Sequence, residues 1–214
     1  MKAPVKVIDL ETWNRRDHYR WYRAYASPHL ALTAEVEFTG LVRGCKAAGR
    51  SLFADVMHAL ATAANEVAPL RQRIRVVDGA EQIVEHPVVH PGFTVGLSGE
   101  RFGFAMTPLV AERAAFSAAV REVSAVAQAH DGLTPFDGQR DDLLYFSCLP
   151  WVRFTHVEHS LRGGDDCTPR IAWGRLAERA GRWTAPVNVL GHHALVDGAH
   201  LGRFFQRLEA LAAG

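Results

Sequence analysis

The sequence predicts an α/β protein of the two-layer α+β sandwich type, a mixed β-sheet with helices packed on one face. Two segments lead there. Between residues 30 and 38, Leu30, Leu32, Ala34, Val36 and Phe38 alternate with Ala31, Thr33, Glu35 and Glu37, the period of a strand with one buried face. Between residues 198 and 213, Leu201, Phe204, Phe205, Leu208 and Leu211 form the apolar stripe of a helix. Strands and helices recur between these two without the strict alternation of a parallel βαβ fold, so a mixed sheet covered on one face is the better solution.

The remaining elements follow in order. Thr39 is placed to cap a short helix over 40–48. Residues 52–67, rich in alanine and leucine, read as a mostly buried helix stopped before Pro69. Ile74–Val77 and Gln82–Glu85 flank the turn pair Asp78-Gly79 and predict a hairpin. Short strands are expected over Gly92–Leu97 and Phe102–Met106. A long helix is expected over Leu109–His130, where Val110, Ala114, Phe116, Val120, Val123 and Val126 recur at near-helical spacing. Thr134–Asp142 reads as loop. Apolar segments follow around Tyr145–Cys148, Trp151–Val157, Ile171–Arg175 and Pro186–Leu190, and Gly198–Ala213 closes the chain as a helix.

Composition narrows the class. At 214 residues, 48% apolar and 22% charged, the chain is expected to form one globular domain over 1–214 with a core that needs no staples. A net charge of +1 argues against a broad nucleic-acid surface. The three cysteines, Cys45, Cys148 and Cys167, make no disulfide framework and no CxxC pair. Met1–Pro4 carries one lysine and Val5–Leu10 is too short for a signal-peptide core, so the expected compartment is the cytoplasm.

The chemistry is concentrated in Val187–Phe205, reading VNVLGHHALVDGAHLGRFF. An apolar strand runs into His192-His193, then Asp197-Gly198, then an amphipathic helix. An imidazole thus stands at the end of a rigid strand, a carboxylate precedes the helix, and Gly198 permits a tight junction. Taken alone, His192 and His200 read as partly buried histidines and Asp197 as a helix cap. Metal binding by His193, Asp197 and His200 would need one continuous helix, which the strand-like VNVLG opposes, and no HExxH pattern supports it. No metal is expected.

HHALVDG resembles the HHxxxDG signature of the chloramphenicol acetyltransferase family and its coenzyme-A-dependent relatives. Other segments are similar to that family in the same order. The run Trp13–Tyr19 (WNRRDHY) resembles its WxRxxHF opening, Arg73–His86 its RxxxxDGELxxWD hairpin followed by PGFTV at 91–95, and Ser147–Phe154 its SxxPWVxF segment. The resemblance runs from about Val5 to about Leu211.

It implies a homotrimer of two-layer subunits with sites at their interfaces, where acetyl-coenzyme A as acyl donor and a small-molecule acceptor enter from opposite sides. No nucleic acid or membrane is involved. By resemblance His193 is the general base, and an imidazole of ordinary pKa ~6.5 is mostly in its base form at neutral pH. Ser147 donates to the oxyanion of the tetrahedral intermediate, a bond worth ~3–4 kcal/mol. Transfer is direct, unlike a Ser-His-Asp hydrolase in which serine attacks. Asp197 pairs with Arg15 and holds the loop that presents the histidine, while Tyr22 packs against His193. From the residues alone, Tyr22 is equally one more core aromatic.

The substrate-facing positions depart from the family. Trp21 and Phe102 keep aromatic character. Tyr145 stands where a smaller polar residue is usual, Val157 replaces an aromatic, and His159 replaces an aliphatic. Ala26 and Pro28 replace larger or more flexible residues. Ala172 replaces a threonine that helps bind the oxyanion through water. His159 and Tyr145 point to a more polar acceptor than chloramphenicol. At the coenzyme end, Trp151 matches a family tryptophan and Arg175 stands in for a lysine; their bland readings are a packed indole and a solvated charge.

The expected function is therefore acetyl-coenzyme-A-dependent O-acetylation of chloramphenicol or a related small molecule, with antibiotic resistance as one role. Rivals are acylation of another small alcohol or amine, and a dihydrolipoyl-acyltransferase-like core, whose signature also reads DGA as residues 197–199 do here. A family-fold binding protein without chemistry is opposed by the joint presence of His193, Ser147, Asp197 and Arg15.

Overall fold

The computed structural model describes residues 4–130, 133 and 140–213. Residues 134–139 of the loop expected over Thr134–Asp142, and residues 1–3 of the N-terminus, lie outside them. The elements in chain order are β1 (Lys6–Ile8), α1 (Arg16–Arg23), β2 (His29–Glu37), α2 (Thr39–Ala47), α3 (Leu52–Asn65), a 3-10 turn (Ala68–Arg71), β3 (Gln72–Val77), β4 (Ala80–Glu85), β5 (His90–Gly96), β6 (Phe102–Met106), α4 (Arg113–Ala129), β7 (Leu143–Leu149), β8 (Arg170–Gly174), β9 (Ala177–Arg179), β10 (Arg182–His192) and α5 (Gly198–Ala213).

Seven strands form the main sheet in the order β2-β10-β8-β7-β5-β6, with β9 on β10. The β5–β7 and β7–β8 pairs are parallel and the others antiparallel, so the sheet is mixed as predicted. The helices α2, α3, α4 and α5 pack on one another and on these strands. The core between the layers is apolar: Leu144 and Phe146 of β7 enter it, as do Val187 and Val189 of β10. Five fully buried alanines of α3 (Ala54, Ala59, Ala61, Ala63, Ala64) let its neighbours approach closely.

Several local expectations shift for identifiable reasons. Thr39 is the first residue of α2 rather than its cap. Its hydroxyl instead donates to Glu37 and accepts from the Trp183 backbone, locking the end of β2 to β10. The long helix starts at Arg113, because the Glu112 carboxylate accepts from the Ala114 and Ala115 N–H groups at 2.7 and 2.6 Å and sets the N-terminus there. Trp151–Val157 is not a strand. Within it, Arg153 Nη1 donates 2.8 Å to the Thr184 carbonyl. Pro186 lies inside β10, where a proline should disrupt pairing. It falls in the gap between β9, which pairs with 182–184, and β8, which pairs with 187–190, so its missing N–H removes no ladder bond on that side. The hairpin forms around Asp78 and Gly79, both at positive φ (50° and 80°), as a two-residue turn requires.

The hairpin and β1 make a second, three-stranded antiparallel sheet in the order β1-β4-β3. Arg73 joins it to the main sheet. Its side chain is fully buried, and its guanidinium donates to four backbone carbonyls: Asp141 (2.8 Å), Leu70 (3.1 Å), Gln72 (2.6 Å) and Leu143 (2.6 Å). The three cysteines are free, and no described helix is long and apolar enough to cross a membrane.

Candidate active site

Strand β10 delivers His192 and His193 to its end, and a tight turn returns the chain to α5. The His193 backbone N–H donates 2.7 Å to Pro28, and the Leu195 and Val196 N–H groups close the turn on the His192 carbonyl. The glycine this turn requires is Gly191, not Gly198. A Cβ on Gly191 would stand 2.7 Å from Val196 Cγ2, whereas one on Gly198 would meet nothing within 4 Å.

The two histidines have opposite environments. His192 is sealed, its Nε2–H donating 2.9 Å to the Gly164 carbonyl while Nδ1 accepts from the Ala194 N–H at 3.2 Å. Burial pushes its pKa down to about 4, so it is neutral and structural. His193 is half-buried. Its Nδ1 lies 2.9 Å from the Val196 carbonyl, which can only accept, so Nδ1 carries the proton and Nε2 the lone pair. The Tyr22 ring stacks on this imidazole at 3.8 Å between centroids and 13° between planes, fixing its orientation. In its neutral form this imidazole presents Nε2 as the basic nitrogen.

Asp197 supports that turn in two ways at once. Oδ1 accepts from the Ala199 and His200 N–H groups at 3.0 and 3.2 Å and caps α5; Oδ2 receives Arg15 Nη1 at 2.5 Å. Burial works to raise its carboxyl pKa, but the Arg15 bond and the His200 N–H outweigh this and hold it below the usual carboxylate range. His193, Asp197 and His200 do not share a helix, because β10 ends at His192 and α5 starts at Gly198. Among the described residues, no group of three or more His, Cys, Asp or Glu is arranged to hold a metal ion.

Ser147 is elsewhere. It lies on β7 in register with Ala172 of β8, which pairs with Asn188 of β10. Two strand spacings and four residues of rise separate it from His192 by roughly 16 Å between Cα atoms. The sequence-predicted residues thus fall into separate groups. Arg15, Tyr22 and Asp197 gather at His193, with Trp21 on the same helix as Tyr22, two-thirds exposed and bonded through Nε1 to the Tyr25 hydroxyl at 2.9 Å. Ser147, Tyr145, Phe102, His159 and Val157 line a cavity of about 670 Å³ on the face of the sheet away from the helices. Ala172, fully buried, sits beside Ser147 in the register without reaching the cavity. Trp151 and Arg175, both exposed, are adjacent through the bond from Arg175 N–H to the Val152 carbonyl (2.8 Å).

His159 is not an unmet polar group. Its Nε2 contacts Asn188 Oδ1 at 2.8 Å, and Asn188 Nδ2 donates to Thr33 Oγ1 at 2.9 Å. Burial lowers the His159 pKa, the Asn188 bond opposing it. The cavity also holds a residue that sequence reasoning missed, Arg170, whose signal was a lone charge inside the apolar run Pro169–Trp173 with an aspartate four residues before it.

Comparison with known proteins shows what the chain is similar to. Residues 4–209 match the family model described as chloramphenicol acetyltransferase. The chain is 31% identical over 218 residues to a chloramphenicol acetyltransferase of Streptomyces acrimycini, covering 100% of this chain and 98% of that one. It is 27% identical over 206 residues to chloramphenicol acetyltransferase 2 of Escherichia coli, with 95% of each covered. Among solved structures, a chloramphenicol acetyltransferase superposes with a TM-score of 0.84 at 23% identity over 97% of this chain and 99% of that one. The dihydrolipoamide acetyltransferase of Azotobacter vinelandii shares the fold at a TM-score of 0.67 and 16% identity, over 92% and 86%. With the family model spanning nearly the whole sequence, this chain belongs to the chloramphenicol acetyltransferase family.

Proposed function

We propose that the chain is a single acyltransferase domain that acetylates a hydroxyl of chloramphenicol or a related small molecule from acetyl-coenzyme A, in sites formed between copies of a cytoplasmic homotrimer. The observation that carries this reading is the stacked His193, whose Nδ1 bond to the Val196 carbonyl leaves Nε2 to act as the base. Nε2 removes the acceptor's hydroxyl proton as that oxygen attacks the thioester carbonyl, forming the new C–O bond. The oxyanion so produced receives a hydrogen bond from the Ser147 hydroxyl. Collapse breaks the C–S bond, and the leaving thiolate takes the proton back from His193 as coenzyme A. Arg15 and Asp197 position the turn. Trp21 and Phe102 wall the acceptor, and Trp151 with Arg175 lies at the coenzyme end.

The interfacial site rests on separation. The end of β10 at His192, just before His193, is roughly 16 Å from Ser147 of the same chain along the sheet, too far for the two groups to act on one carbonyl. A second copy supplies the missing partner if the subunits close as a ring. Acylation of a different small alcohol or amine is the second reading, favoured by the polar His159 and Arg170 in the cavity.

Thiol release from acetyl-coenzyme A with an acceptor panel tests both. His193→Ala is expected to abolish turnover, and Ser147→Ala to lower kcat by about 10²–10³-fold. Equal amounts of these two variants, refolded together, should regain activity in about a quarter of sites, one half for each wild-type partner residue. No recovery would place both groups in one subunit and overturn the shared site.

A further inference from the structure

Resting on the function just proposed, we propose that Arg170 sets acceptor specificity, offering the Nε and Nη2 edge of its guanidinium to the carbonyl oxygen of a carboxamide on the acceptor, remote from the hydroxyl that is acetylated. Arg170 lines the same cavity as Ser147, Tyr145 and Phe102 although its side chain is only 9% exposed. Asp166, equally buried, grips it from behind, at 3.2 Å to Nη1 and 2.6 Å to Nη2, and the Thr168 carbonyl takes Nη1 at 2.9 Å. The guanidinium carbon lies 5.4 Å from the centre of the Tyr145 ring, which fixes its plane. A guanidinium has five N–H donors. Three bonds are made here, leaving the Nε–H and one Nη2–H without a partner among the described residues. Nε is not sealed from solvent. Those two donors share one edge and can converge on the two lone pairs of a single carbonyl oxygen.

The charge balance selects among oxygen groups. Asp166 already neutralises Arg170, so the edge is a directional donor pair more than a net cation, and it favours a neutral carbonyl over a carboxylate. His159 completes the match. With Nε2–H donated to Asn188, its Nδ1 holds the lone pair and has no partner among the described residues, so it can accept the N–H of the same carboxamide. Asp166 itself is held by the protein around it. His29 donates to its carbonyl at 2.8 Å, its carboxylate accepts the Arg162 N–H at 3.1 Å, and His192 anchors Gly164 two residues away. The Arg170 edge is therefore pre-positioned before any acceptor binds.

The test uses three aryl-alkyl alcohols identical except for a para substituent: carboxamide, methyl or carboxylate. The full chain should acetylate the carboxamide with kcat/KM about 10-fold or more above the methyl compound, and the carboxylate should not exceed the carboxamide. Arg170→Lys keeps a cation against Asp166 but loses the two-donor edge. The double variant Asp166→Asn/Arg170→Met removes both charges and leaves no orphaned carboxylate. In either variant, if folded by thermal melting, the carboxamide-to-methyl ratio should fall toward one. No preference in the wild-type chain, a carboxylate preference, or an unchanged ratio in a folded variant would overturn the inference. If neither variant folds, the wild-type order of the three acceptors decides it. Absence of turnover with every acceptor, chloramphenicol included, would instead overturn the function itself, whereas equal turnover of all three leaves the function standing and refutes only the role of Arg170.

Discussion

The sealed imidazole of His192 makes the fold sensitive to mild acid. Both of its nitrogens are committed in the neutral form, one donating to Gly164 and one accepting from Ala194. A second proton on Nδ1 would face the Ala194 N–H with no acceptor, and burial already pushes the pKa down to about 4 against an ordinary value of 6.5. Because the folded pKa is depressed, the unfolded chain binds the proton first as pH falls. The stabilisation is therefore complete above about pH 6.5 and drains away as pH falls from there toward 4. A shift of that size is worth about 3 kcal/mol in full, of which about 2.5 kcal/mol is lost by pH 4.5. His192→Gln supplies a donor and an acceptor without titrating. Urea unfolding at one fixed protein concentration, at pH 7.5 and 4.5, should show the wild-type midpoint falling by about 1 M more than that of the variant. His58, His159 and His200, which burial also depresses, contribute equally to both proteins and cancel. Parallel pH dependence in the two proteins would refute the reasoning.

Two further perturbations probe the turn that carries His193. Asp197→Ala removes both the α5 cap and the partner of Arg15, and should cost about 2–4 kcal/mol with a matching loss of activity; Arg15→Ala should weaken stability and activity together while leaving the cap, and a fully stable, fully active Asp197→Ala protein would contradict the account. Gly191→Ala drives a Cβ against Val196 and should cost about 1–3 kcal/mol and shift His193; Val196→Ala added to it should restore turnover, and no restoration would mean that the contact does not govern the turn.

Much of the layered fold was legible because long elements carry their own period. The Leu30–Phe38 alternation, the stripe of the last helix and the Asp78-Gly79 turn each encode an element locally. The elements that were missed are those that neighbours hold. The helix over Arg16–Arg23 carries no aliphatic residue and is tethered by Tyr19 and Arg23 to Glu81 and by Tyr22 to His193. The three-residue strands β1 and β9 exist only because β4 and β10 offer open edges. At the site, the HHALVDG run marked His193 and Asp197, since both belong to one local turn. The separation of Ser147 from His193 and the grip of Asp166 on Arg170 follow from strand order and register, which no single stretch of sequence states.

Arg73 has a consequence for how the molecule comes apart. Four main-chain oxygens, drawn from the hairpin's own approach and from the segment entering β7, share one guanidinium that never meets solvent. Prising the small sheet away would strand that cation in an apolar interior or expose it only once β7 itself loosened, so neither step is cheap without the other. The hairpin therefore cannot fray as an independent subunit of stability. It opens only with the global transition, and its amides inherit the exchange protection of the central strands rather than that of a surface ribbon.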